Sequence, residues 1–160
     1  MTSIKDVAQR AGVGVATVSR VLNETGYVSA ETRKKVQDAM EELNYIPNEL
    51  ARNLLHKKSG IVAIIIPKIS HPFFAEFVLY AEEELLKNGY KTMICSTYSE
   101  QNYEKEYLNM LNRHIVDGII AGGHTLALED YASVSRPVVA LDRFLGEHIP
   151  TVASDHRIGG

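Results

Sequence analysis

The chain has 160 residues, 45% hydrophobic and 23% charged, with no low-complexity tract. This excludes a disordered or fibrous protein and leaves room for one ordinary domain, or a small domain joined to part of a larger one. The net charge of −3 is unevenly spread: residues 1 to 60 hold nine Lys/Arg against seven Asp/Glu, a net +2, and residues 61 to 160 hold eight against thirteen, a net −5. The opening "MTSIKDVAQR" is too charged for a secretory signal, no stretch nears the ~18 uninterrupted apolar residues of a membrane span, and the single cysteine, Cys95, cannot close an internal disulfide. Together these predict a soluble protein of the reducing cytoplasm, with no membrane partner and Cys95 as a packed thiol.

In chain order, the first 60 residues read as helices. Ser3 with Asp6 three residues on resembles a capping box, and Val7 and Ala11 are four apart on the helix it would start. "AGVG", residues 11 to 14, makes a tight turn into a second helix over 15 to 23, where Val18 pairs with Val21 and Leu22. Ser29 precedes "AETRKKV" as Ser3 precedes its own helix, and Val36, Met40 and Leu43 recur at helical spacing. Asn48, after Pro47, can cap a short fourth helix, "ELARNLL", and "LHKKSG" (55 to 60) reads as a linker.

From Ile61 the texture changes to short β-rich runs: "IVAIIIP" (61 to 67), "KTMICST" (91 to 97), "DGIIAGG" (117 to 123), "VVALD" (138 to 142) and "TVASD" (151 to 155). Ala75 to Asn88 and Tyr103 to Arg113 are long enough for helices between the early runs, which predicts a parallel sheet with right-handed crossovers.

The second helix carries the first functional signal. On a wheel at ~100° per residue, Val15, Ala16, Ser19, Arg20 and Asn23 fall within an arc of ~140°, opposite Thr17, Val18, Val21 and Leu22. One face is built for burial. The other has small groups that permit close approach, and a single guanidinium whose planar fork suits guanine in the major groove; Ser19 and Asn23 can reach phosphates or base edges. This reads as helix-turn-helix with 15 to 23 as the reading helix, against the plainer alternative of an amphipathic helix in a bundle.

No reacting constellation accompanies it. There is no "GxxxxGK[ST]", no "GxSxG" and no paired Cys or His at metal spacing, and the histidines at 56, 71, 114, 124, 148 and 156 are scattered. The expectation is a protein that is not an enzyme and has no metal or other cofactor. "EEE" at 82 to 84 reads as a solvated helix face.

The segment "DVAQRAGVGVATVSRVLNETGYVSAETRKKVQDAMEELNYIPNELARNLL" resembles the N-terminal headpiece of the lactose-repressor (LacI/GalR) family of bacterial transcription regulators. The matching pieces are "DVA", "AGV", "TVSRVLN", the spaced "VS", "TR" and "KV", and "NYIPN". The resemblance implies that Val15 and Ala16 set operator preference and that Arg20 contacts a base, while Thr17, Ser19 and Asn23 serve mainly backbone contacts. It makes "PNELARNLL" the hinge helix that orders on the operator, with Leu54 wedged into the central minor-groove step beside Asn48 and Ala51; read alone, Leu54 could equally be a packing residue. Gly14 departs from the family's usual serine, which removes a side-chain cap and a phosphate contact.

From Ile61 onward, "IVAIIIPKISHPFFAEFVLYAEEELLKNGY", "VDGIIAGG", "VVALDR" and "VASDHRIGG" resemble the first half of the family's regulatory domain, which is similar to periplasmic sugar-binding proteins. Ligands of such sheets bind at the carboxyl ends of strands, which nominates Ser70, Phe73 and Phe74 after the first run and Asp142 and Arg143 after the fourth. Aromatic rings with a carboxylate and an arginine suit a sugar, though either Phe73 or Phe74 could instead cap the core. "VALDRFLGEHIPTVASD" looks most like sugar-uptake regulators of sucrose or ribose type.

The expected architecture is therefore an all-α headpiece (1–47), a hinge helix and linker (48–60), and an incomplete first lobe of an α/β, parallel-sheet, periplasmic-binding-protein-type domain (61–160). The implied function is a sequence-specific, sugar-controlled repressor of carbohydrate-utilisation genes, acting as a homodimer on a pseudo-palindromic double-stranded DNA operator. The family's domain is roughly twice this length, so weak or undetectable sugar binding by these residues is expected, and a sugar-binding module without useful DNA binding is the alternative.

Overall fold

The computed structural model describes residues 1–98, 103–123, 128–134 and 137–153 and divides into two compact units, Met1–Arg52 and Asn53–Gly160. The first unit contains α1 (Ile4–Ala11), α2 (Val15–Asn23) and α3 (Ala30–Glu42). α1 opens with the capping box read from the sequence: the Ser3 hydroxyl accepts from the Asp6 N–H, and the Asp6 carboxylate accepts from the Ser3 N–H at 2.7 Å. Ser29 caps α3 by accepting from the Thr32 N–H at 3.2 Å, but position 32 carries a hydroxyl, so the return bond of a full box is replaced by Ser29 Oγ donating to Thr32 Oγ1. α1 ends at Gly12 with φ +69°, a left-handed turn that costs glycine nothing.

The helices close around Val7, Ala8, Val18, Val21, Val36 and Ala39, with Leu22, Met40 and Leu43 packed against them. Burying such side chains supplies about 1.5–3 kcal/mol each for the larger ones and dominates the stability of a unit this small. The exposed Arg10–Glu42 pair at 2.6 Å joins α1 to the end of α3, and as a solvent-screened surface pair it adds little beside that core. α4 (Glu49–Leu55) buries none of its residues. Its start is fixed by the Asn48 Oδ1, which accepts from the Leu50 and Ala51 N–H groups at 3.0 and 3.3 Å.

The second unit is a five-stranded parallel sheet in the order β2-β1-β3-β4-β5, built from β1 (Ile61–Ile66), β2 (Lys91–Ser96), β3 (Gly118–Ala121), β4 (Val138–Leu141) and β5 (Thr151–Val152). Residues 154 and 155 of the fifth sequence run lie outside the described residues. α5 (Pro72–Lys87) starts three residues earlier than the apolar pattern indicated, because proline suits the first turn of a helix. α6 (Glu104–Asn112) falls where expected, and a short α7 (Leu128–Ala132) was not anticipated.

β1 is apolar along its whole length because both sheet faces are covered. Ile64 and Ile66 point to α5, against Val78, Phe74, Phe77 and Leu85. Ala63 and Ile65 join the opposite core of Leu108, Leu111, Val116, Ile119 and Tyr131. In that core the Tyr131 hydroxyl donates to the carboxylate of fully buried Glu104, linking α7 to the start of α6; burial first, and this bond second, push the Tyr131 phenol well above its ordinary range. Where the linker enters the sheet, the Asp117 carboxylate accepts from the Ser59 and Gly60 N–H groups at 2.8 and 2.9 Å.

Candidate functional site

α2 presents the face its spacing called for. Val18 and Val21 are buried, Val15, Ala16 and Arg20 are exposed, and Ser19 and Asn23 are half-buried with the Asn23 Nδ2 donating to Ser19 Oγ at 3.2 Å. Thr17 is half-buried and lines a shallow depression with Gly14, Arg20, Tyr27, Ser29 and Thr32. A β-carbon on Gly26 would lie 3.7 Å from Arg20 Cδ, so the loop after α2 passes close to the arginine side chain. Tyr27, 89% exposed, stands beside this face and was missed: it lies beyond the end of α2, outside any helical wheel.

Gly14 is the N-cap of α2 at φ −73° and ψ 153°, without a side-chain bond, and the space around its α-carbon is open. On α4, Leu50 and Leu54 are each 79% exposed and Ala51 is exposed, so the helix carries apolar groups open to solvent.

In the second unit, the chain runs from β1 outward to β2 and returns across β1 to β3, so the strand order reverses beside β1. Crevices in such sheets open at this reversal, outside the carboxyl ends of the strands. A cleft of about 530 Å³ lies there, lined by Pro67, Phe73 and Phe74 after β1, Thr97 and Tyr98 after β2, Gly122 and Gly123 after β3, and Leu141, Asp142 and Arg143 around the end of β4. It brings together four of the five residues nominated from the sequence; Ser70 is exposed in the loop before α5 and is not among the lining residues.

Phe73 and Phe74 meet edge to face at 5.1 Å. Phe74 also packs against the Ile64 and Ile66 core, so it serves both cleft wall and sheet cover, while Phe73 is 48% exposed. Gly122 and Gly123 form the floor because the loops approach too closely for side chains: a β-carbon on Gly123 would lie 2.6 Å from Pro67 Cγ. Tyr98 and the two glycines escaped sequence reading, since nothing in "STYSE" or "AGG" distinguishes a wall or floor from an ordinary loop. Lys68 Nζ lies 4.7 Å from the Tyr98 ring centroid. Among the described residues no group of His, Cys, Asp and Glu is placed to hold a metal ion, and no helix is long and apolar enough to cross a membrane.

Residues 3–48 match the family model for bacterial regulatory proteins of the lacI family, and residues 59–158 match that for periplasmic binding proteins and the sugar binding domain of the LacI family. The chain is 47% identical over 160 residues to the sucrose operon repressor of Streptococcus mutans serotype c, covering 100% of this chain and 50% of the relative. It is 46% identical over 159 residues to the ribose operon repressor of Halalkalibacterium halodurans, covering 99% and 48%. Its fold aligns with the crystal structure of the lac repressor dimer bound to operator and the anti-inducer ONPF, with a TM-score of 0.79 at 29% identity, over 98% of this chain and 49% of that one. The chain thus spans about half the length of the curated relatives it matches. With one model covering the helical unit and the other more than half the chain, the chain belongs to the lacI family of bacterial regulatory proteins.

Proposed function

We propose that these residues are the DNA-reading part and first effector lobe of a sequence-specific transcription regulator, a cytoplasmic repressor of carbohydrate-utilisation genes that binds a pseudo-palindromic operator as a homodimer. The observation that carries the reading is the exposed face of α2, where Val15 and Ala16 allow close approach and Arg20 offers one bidentate donor. Thr17, Ser19 and Asn23 then anchor on phosphates, and Asn48, Ala51 and Leu54 belong to a hinge whose leucine wedges into the minor groove. Tyr27 joins the contact surface.

The functional divisions proposed are 1–47 for reading, 48–60 for the hinge and linker, and 61–160 for the lobe. The effector is a sugar held between Phe73, Phe74 and the Asp142–Arg143 pair, and the proposal includes no enzymatic activity. Its binding biases the protein between a state that favours hinge order and one that does not. A two-fold operator requires two headpieces. Leu79 and Leu86, seven residues apart on α5 and 61% and 66% exposed, with Ile94 on the edge strand, offer apolar surface to a second protomer. The sucrose and ribose operon repressors among the relatives support repression and sugar control alike, and the exposure of Val15, Ala16 and Arg20 favours this reading over a sugar-binding module without DNA binding.

The test is selection of duplexes from a random pool at about 0.15 M salt, where non-specific phosphate binding is weak. A pseudo-palindrome with a deformable central step is the expected product. Recovery of no motif would overturn the reading.

A further inference from the structure

We infer that Asn53 and Asp117 are positioning residues for the hinge: bonded to the same linker residue, Ser59, they tie the helical state of α4 to the start of β3. The inference rests on the hinge reading of α4 given above, and it names the side chains through which the lobe sets how firmly that helix holds.

The division between the two compact units falls inside α4, after Arg52, so its last residues, from Asn53 on, belong to the second unit. α4 has seven residues, against the ~12–15 at which an isolated helix becomes even marginal in water, and it buries none of them. Neither length nor packing holds it, which leaves its ends. At the C-terminal end the Lys58 N–H donates to the Asn53 carbonyl at 3.0 Å and the Lys57 N–H to the Leu54 carbonyl at 3.2 Å, the pair of bonds that closes a Schellman stop. The left-handed position of that stop favours glycine, but here it is Lys57, at φ +51°. The backbone stop alone is therefore a strained one.

Side chains supply the rest. Asn53 Nδ2 donates to the Ser59 carbonyl at 2.9 Å. On the other side of Ser59, its N–H donates to one oxygen of the Asp117 carboxylate at 2.8 Å, and the Gly60 N–H donates to the second at 2.9 Å. Two successive N–H groups converge on one carboxylate because Gly60 is left-handed, at φ +73°. The sheet in turn fixes both partners: the Asp117 N–H donates to the Ile61 carbonyl at 2.8 Å, and the Gly60 carbonyl accepts from the N–H of Lys91, the first residue of β2, at 2.8 Å. Asn53, Ser59, Gly60 and Asp117 are all half-buried, so water competes less for these bonds than for those of an open surface.

The test is a double-mutant cycle on the isotopically labelled 160-residue chain, read by NMR. Helix and coil exchange within about a microsecond, so the Cα shifts of Ala51, Arg52, Leu54 and Leu55 report their ratio whichever state predominates. Asn53→Ala and Asp117→Asn should each lower that ratio about two- to tenfold, the scale of one hydrogen bond's net contribution. Alanine is the better helix former, so a fall in Asn53→Ala cannot come from propensity. The double variant should fall no further than the stronger single one, because both act through Ser59. Gly60→Ala should match Asp117→Asn, reaching the same bonds from the backbone. Unchanged α4 shifts in Asn53→Ala, or single effects that simply add, overturn the inference and leave the DNA reading standing. Asn53→Ala lies outside the sheet and decides the matter even if a lobe variant fails to fold. On a selected duplex, the single variants should weaken binding in proportion to the helical fraction lost, with base preference unchanged, and undiminished affinity would overturn the positioning role. If no duplex is selected, the DNA reading fails while the shifts still decide whether Ser59 ties the helix to the sheet.

Discussion

Replacing Gly14 by serine isolates one helix cap in the reading unit. Gly14 has the extended backbone of an N-cap, close to that of Ser29, whose hydroxyl accepts from the N–H three residues on. At Gly14 the Thr17 N–H reaches only the Gly14 carbonyl, at 3.0 Å, and an added β-carbon meets nothing within 4 Å. Gly14→Ser should therefore add the cap without strain, worth a few tenths of a kcal/mol, and restrict the unfolded chain, for a total of about 0.5–1.5 kcal/mol. For a small unit that raises Tm by roughly 2–12 °C. Gly14→Ala gains the same restriction but puts a poor cap in place, so it should stay within about 0.5 kcal/mol of the parent. Thermal unfolding followed by circular dichroism ranks the three. Alanine at or above serine would refute the capping argument. The new hydroxyl should also tighten operator binding modestly, and unchanged or weaker binding would remove the phosphate contact assigned to this position.

Arg20→Ala should cost about 1–3 kcal/mol of discrimination at one base position while leaving non-specific affinity nearly intact, read by competition among duplexes varied at each position; uniform weakening would make Arg20 a phosphate contact instead. Tyr131→Phe removes one donor from buried Glu104 and should lower stability by about 1–3 kcal/mol in urea unfolding, and a neutral result would mean the carboxylate does not need that bond. Burial pushes the Cys95 thiol up to about 11 from its ordinary 9.0. Between those pH values the unfolded chain loses a proton that the folded one keeps, so this group's contribution to stability should be constant below about pH 9 and fall toward pH 11; Cys95→Ser should flatten that part of the profile. Phe74→Ala should reduce both sheet stability and sugar affinity, whereas Phe73→Ala should reduce affinity with little change in unfolding, because Phe74 alone packs into the core.

The headpiece was legible because its signals are local. Ser3, Ser29 and Asn48 announce helix starts through bonds to N–H groups two or three residues away, and the spacing of Val18 and Val21 fixes which side of α2 is buried. The alternating sheet was legible because its strands are apolar runs separated by helix-length intervals. The cleft was only half legible. Phe73, Phe74, Asp142 and Arg143 stand next to apolar runs, so strand ends located them, but Tyr98 and the Gly122–Gly123 floor depend on which strands become neighbours. That is decided by long-range pairing, such as β1 with β3, that no window of sequence contains. Glu104 illustrates the same point: its complete burial depends on α7 bringing Tyr131 against it, a contact across 27 residues of chain.

The grip of Asp117 on Ser59 and Gly60 gives the linker a fixed origin at the base of the sheet. From that origin the hinge leucine is on a leash, since residues 54 to 59 span at most about 18 Å when fully extended. If two copies place both leucines at one central base step, their two Asp117 anchors cannot stand farther apart than roughly 40 Å. Any rearrangement of the lobes that exceeds this separation withdraws at least one leucine from the groove, whatever the headpieces still hold. Lengthening the linker by several glycines would relax that limit, uncoupling lobe spacing from the kink while leaving each headpiece's base preference as it was.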